Sequence, residues 1–330
     1  MDNTAWEERP VLLLGASGSF AGALGLELMQ RGRPLRALAR HPAKLERRFG
    51  GAGRVEIVAG DAEDESALIR AAAGCAVIVH AINYPYHLWK THMDRVTANV
   101  VAAARAAGAT ILFPGNVYGL GPPRGAPFSE AATMRPNTAK GALRVGLESE
   151  MAAAAETGDI RLLNLRAGDY FGPTARNAYI DRIFGNAAEG RPIEVFGRLD
   201  VPHQWAYLPD LARVAADLLA RGDRLARVET VNFAGHIVPT TRGFLRDVAR
   251  AAGHPDLAVR RIPWWLLRAA GLGSPLIREV VEMRYLFDEA LILDDPRRRA
   301  LLPDFTPTPL DAALSATIES YRQEQLARAA

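Results

Sequence analysis

The stretch VLLLGASGSFAG, residues 11–22, decides the fold. Val11 to Leu14 have the length and apolar continuity of a buried strand, and they run straight into Gly15 and Gly18 at the start of a helical pattern. Glycine lets a backbone turn sharply and approach other atoms that a side chain would hold off. The third position where a glycine is expected holds Ala21, with Gly22 after it.

Working outward, apolar runs of strand length recur, each followed by an alanine-rich helical pattern. Strands are predicted at Val11 to Leu14, Leu35 to Ala39, Val55 to Val58, Ala76 to Ala81, Thr110 to Phe113 and Arg161 to Leu165. Helices are predicted at Gly18 to Arg31, Glu63 to Ala73, Thr91 to Ala107 and Thr138 to Glu156. This alternation implies an α/β fold, a doubly wound parallel sheet of the Rossmann type. After Pro173 it weakens. A helix near Asn177 to Glu189, a strand at Ile193 to Phe196, a strand, turn and helix in WAYLPDLARVAADLL, and a further sheet strand in VETVNFAG are expected, then mostly helices.

A strand, a glycine turn and a helix N-terminus in that order are the context for binding a dinucleotide pyrophosphate. Gly15, Ser17, Gly18, Ser19 and Phe20 are the residues expected there. The second strand ends on Arg40, whose guanidinium suits a ribose 2′-phosphate, so NADP(H) is favoured and NAD(H) is the alternative. Asp61, followed by Ala62, is expected near the adenine or as the N-cap of the next helix.

Composition narrows the rest. The 330 residues carry a net charge of +3 with no dense basic block, which disfavours nucleic acid as a partner. Cys75 is the single cysteine, so no internal disulfide forms and a cytoplasmic setting is expected. The N-terminus, MDNTAWEERP, has no signal-peptide core, and no stretch is long and uncharged enough to span a bilayer. PWWLLRAAGLGSPLIREVVEM has the pattern of a surface-lying segment, but a helix pair over a pocket is the favoured reading, with no membrane partner and with Trp264 and Trp265 in its core. The histidines show no metal-ligand spacing, and no metal is expected.

GASGSFAG, GDAED, VIVHAIN, NVYGLG, LRAGDYFGP and YLPDLA, in this order and spacing, resemble the extended short-chain dehydrogenase/reductase superfamily of the NAD-dependent epimerase/dehydratase type. The resemblance runs from about Val11 to the TPLDAAL helix. It implies a dinucleotide-binding domain over residues 1–173, with 204–236 returning to it, and a smaller substrate-binding lid over 174–203 and 237–330. It further implies that His80, Ala81 and Ile82 line the cofactor and that Asp169 and Tyr170 stand beside the nicotinamide. A homodimer through the helices at Thr91 to Ala107 and Thr138 to Glu156 also fits it.

Members of that type use a Ser or Thr, a Tyr and a Lys for proton transfer and ribose binding. Here Lys140 and Arg144 stand where the Tyr and Lys are expected, and Pro114, Gly115 and Asn116 where the hydroxyl is. Lys140 and Arg144, four apart, share a helix face. A neighbouring cation and partial burial would push the lysine toward an acid–base role and let it replace the tyrosine, with cofactor contact as a second use. Asn116 and Tyr118 complete the candidate catalytic set.

Asn83, Tyr84, Tyr86, His87 and Trp89 follow the fourth strand and are expected to border a pocket for a small apolar or aromatic carbonyl compound. The resemblance places His203 where epimerases carry a diphosphate-gripping arginine, with Trp205 beside it. The leading expectation is therefore an NADP(H)-dependent oxidoreductase or epimerase acting on a small carbonyl or alcohol. A catalytically silent NADP-binding sensor, or a non-redox isomerase or lyase that retains the cofactor, is the alternative.

Overall fold

The computed structural model describes residues 8–50 and 55–329. The chain opens with β1 (Val11–Leu14), β2 (Leu35–Ala39), β3 (Val55–Ala59), β4 (Val77–His80), β5 (Thr110–Gly115) and β6 (Arg161–Ala167). Three short strands, β7 (Asp169–Phe171), β8 (Ile193–Val195) and β9 (His203–Tyr207), precede β10 (Val228–Phe233). A seven-stranded sheet runs in the order β10-β6-β5-β4-β1-β2-β3, and every neighbouring pair is parallel. All four residues of β1 are buried, as a strand covered on both faces must be. Alternation splits them: Val11 and Leu13 join one core, Leu12 and Leu14 the other.

The helices are α1 (Ser19–Gln30), α2 (Pro42–Phe49), α3 (Glu65–Ala72), α4 (Trp89–Ala107), α5 (Ala139–Glu156), α6 (Leu208–Ala220), α7 (Thr241–Ala251), α8 (Trp264–Gly271), α9 (Pro275–Glu282) and α10 (Leu310–Ala329), besides shorter turns. Thr138 caps α5 by accepting the Gly141 amide at 3.0 Å, and this fixes Lys140 and Arg144 in its first turns. The strand order reverses between β1 and β4, so their C-terminal ends open the crevice where such sheets take ligands.

Two smaller sheets flank this crevice. β9 pairs in parallel with β7 and antiparallel with β11 (His236–Val238), while β12 (Val259–Arg261) pairs with β8. The expected helix at Asn177 to Glu189 is broken by a π-helical turn at Asp181–Gly185. β9 runs into α6 without the expected turn. Trp265 is not a core residue: it is 68% exposed. No helix among the described residues is long and apolar enough to cross a membrane, and the first seven residues, on which the reading of the N-terminus rests, lie outside the described ones.

Candidate active site

Gly15 shows why the first turn needs glycine. Its φ is +77°, and a Cβ there would lie 2.4 Å from the Ala81 carbonyl oxygen at the end of β4. The turn thus packs directly on the neighbouring strand end, leaving a cleft of about 210 Å3 lined by Gly15, Ser17, Arg40, His41, Lys44, Asp61, Ala62, Ile82, Asn83 and Tyr84. An α1 N-terminus, a bare backbone turn and three basic side chains at the far rim suit an anionic dinucleotide.

Gly22 has a separate use. The Arg48 guanidinium occupies the space a Cβ would need, and donates to the Ala16 and Gly18 carbonyls at 3.2 and 3.1 Å. Burial, and then the nearby Arg176, pull Arg48 below the usual guanidinium range. Arg176 in turn donates its backbone amide to Ser19 Oγ at 3.3 Å. Sequence reasoning missed Arg48: it arrives from α2, a helix that the strand-and-helix pattern passed over.

Asn83 and Tyr84 line this same cleft, with the Tyr84 hydroxyl donating to Glu63 at 2.8 Å. Asp61 holds the Glu63 amide at 3.0 Å, while the cap of α3 is Asp64. His80 is fully buried, with Nε2 3.0 Å from Thr97 Oγ1, and burial followed by Arg144 pushes it down to about 3. Only its backbone is available to a cofactor. Trp89 is buried and donates to the Tyr84 carbonyl at 2.8 Å, whereas His87 is exposed.

At the other end of the crevice stand Tyr86, Tyr118, Lys140, Arg144, Asp169 and Tyr170. Lys140 is 3% exposed and paired with two carboxylates of α9, Glu279 and Glu282. This pairing ties the first turn of α5 to α9. Arg144 lies over the Phe113 ring at 4.2 Å and donates to the Pro114 carbonyl at 2.7 Å. Asn116 is spent on the turn, its Oδ1 accepting the Tyr118 amide at 3.0 Å. The hydroxyls of Tyr118 and Tyr86 are 2.7 Å apart.

Burial, and after it the Asp169 charge among other neighbours, raises Tyr86 and lifts Tyr118 well above the usual phenol range. Burial pushes Tyr170 up to about 12. Asp169 itself meets His203, with Nε2 2.8 Å from the carboxylate. This pair follows from the β7–β9 register, which sets Asp169 against Trp205. Trp205, expected at the pocket wall, is fully buried and stacked on Phe244 at 4.6 Å; it supports the His203 ring, 4.8 Å away. Among the described residues no group of three or more His, Cys, Asp and Glu could hold a metal ion.

With this geometry in hand, the likeness to known proteins is informative. A search of the curated proteins found no match. Among solved structures, MoeE5 in complex with UDP-glucose and NAD aligns with a TM-score of 0.75 and 20% identity, covering 96% of this chain and 99% of that one. DesIV, a dTDP-glucose 4,6-dehydratase from Streptomyces venezuelae solved with NAD, aligns at 0.76 and 18%, covering 96% and 98%. UDP-glucose 4-epimerase from Bifidobacterium longum, in complex with NAD+ and UDP, aligns at 0.76 and 16%, covering 96% and 99%. These likenesses concern the fold. The family model for the NAD dependent epimerase/dehydratase family matches residues 11–234, from the first strand through the last strand of the large sheet. The chain therefore belongs to the NAD-dependent epimerase/dehydratase family, a family of enzymes that work with a nicotinamide dinucleotide.

Proposed function

We propose that the protein is an NADP(H)-preferring oxidoreductase or epimerase acting on a small carbonyl or alcohol compound, with residues 174–203 and 237–330 as its substrate lid. The observation that carries the cofactor choice is the rim of Arg40, His41 and Lys44 around the adenosine end of the cleft. When bound, the dinucleotide supplies or accepts hydride at its nicotinamide ring. Arg40→Ser is expected to weaken NADP+ binding by about 10- to 100-fold, the worth of a charge-assisted hydrogen bond, and to leave NAD+ binding unchanged. Isothermal titration with both dinucleotides reads this directly.

The proton needs a different group. Arg144 stays cationic, Lys140 is held by two carboxylates, and the tyrosines are raised away from neutrality. His203 is oriented by Asp169, with Nε2 2.8 Å from the carboxylate, as general acid–base pairs require. In the reducing direction His203 gives its proton to the substrate oxygen; in the oxidising direction it takes one. Tyr86, Tyr118 and Tyr170 supply aromatic walls suited to an apolar or aromatic substrate.

Lys140 then acts as the clasp between α5 and α9, where Glu282 also accepts the Ala139 amide at 2.6 Å. Lys140→Gln is expected to lower the unfolding temperature and raise KM, with kcat kept within about threefold, because it breaks a buried ion pair that positions α9 against α5. Loss of kcat with stability unchanged would return the proton to Lys140.

Incubation with NADPH and a panel of aromatic and aliphatic carbonyl compounds tests the whole reading through loss of NADPH absorbance. Tight binding without turnover would favour the silent sensor, a reading that the locked Lys140 supports. The single cysteine, buried Cys75, fits the cytoplasm, and a homodimer through α4 and α5 accords with their alanine-rich faces.

A further inference from the structure

Among the described residues six large apolar side chains stand exposed, and four of them, Trp265, Leu266, Leu272 and Leu276, fall on α8 and α9, at 68%, 46%, 88% and 44%. The two helices pack closely, with the Gly271 Cβ position only 3.4 Å from the Arg278 backbone. Trp265 and Leu272 are two helical turns apart on one face, and Leu276 stands in the first turn of α9. All four fall within the short span 265–276 of this closely packed helix pair.

The inner side of the pair is already engaged. Trp264 donates to Asp288 at 3.2 Å and lies 5.4 Å from the Phe196 ring, while Glu279 and Glu282 hold Lys140. Packing against the protein therefore does not explain the outer side. Over α8, the bend and the start of α9, residues 264–278, the charged residues are Arg268 and Arg278, both exposed, with no acid. A twofold contact between two copies of this face would set arginine against arginine.

We propose that α8 and α9 seat the protein on an anionic lipid surface. Trp265, Leu266, Leu272 and Leu276 enter the boundary between headgroups and acyl chains, and Arg268 and Arg278 meet the lipid phosphates. Such a seat holds a helix pair in the plane of the surface and spans nothing. It stands independently of the catalytic reading, since it uses no residue of the cleft.

The test is co-sedimentation of the full chain with vesicles of phosphatidylcholine alone and of phosphatidylcholine mixed with phosphatidylglycerol. Binding to the mixed vesicles, weakened by salt and absent from the neutral ones, is expected. Trp265→Ser with Leu272→Ser should cut that binding by about tenfold or more with the unfolding temperature unchanged. Arg268→Glu with Arg278→Glu should do the same through charge. Absence of binding to mixed vesicles, or binding unaffected by both double substitutions, overturns the proposal. So does a change of oligomeric state, by light scattering, in the Trp265/Leu272 variant without lipid binding in the parent.

Discussion

Gly15→Ala is expected to remove measurable dinucleotide binding, a loss of about 100-fold or more in affinity, and to lower the unfolding temperature. Two effects add. The left-handed φ of +77° costs an alanine about 1–2 kcal/mol. Its Cβ would also stand 2.4 Å from the Ala81 oxygen and 2.8 Å from the Ala81 carbonyl carbon, both backbone atoms that cannot swing aside. The turn must leave the end of β4, and the cleft between them changes shape. Gly18→Ala is the milder control: its φ is −82°, and its Cβ would lie 3.1 Å from the Gly15 oxygen, a tight contact that only a small shift is needed to relieve. Calorimetric titration and thermal unfolding of both variants should show a large loss for the first and a small one for the second. Equal, small effects would mean that the turn does not cradle the cofactor.

His203→Gln and Asp169→Asn should each reduce turnover by roughly 10²- to 10³-fold, the usual worth of a positioned acid or base, while leaving dinucleotide affinity intact. Tyr118→Phe should leave turnover near that of the parent, because burial has lifted that phenol well above the usual range. Turnover in His203→Gln within about tenfold of the parent would assign the proton to another group. Absence of turnover in the parent protein would remove the oxidoreductase reading itself, a distinguishable outcome.

The large sheet is legible in the sequence because its central strands β1 and β4 are buried along their length and read as near-continuous apolar runs. Val11–Leu14 and Leu35–Ala39 are found where the pattern puts them. Three-residue strands such as β7, β11 and β12 are too short to impose a period, and α2 hides behind Pro42, which reads as a break although it sits comfortably in a first helical turn. The missing tyrosine–lysine pair is plain on inspection. The contacts made around its place are not, because they are remote: His203 lies 34 residues from Asp169, and Lys140 lies 139 and 142 residues from its two glutamates. Local spacing carries no trace of such pairings. Trp265 fails for another reason, since an apolar helix face reads the same whether it meets a core or a lipid.

The proposed function depends on an adenosine 2′-phosphate resting between Arg40, His41 and Lys44 with the diphosphate on the Gly15 turn. Calorimetric titration of the protein with NADP+ and, separately, with NAD+ tests it most directly. The expected result is binding of both, with NADP+ tighter by about tenfold or more. No heat with either dinucleotide, or NAD+ binding as tightly as NADP+, would contradict it.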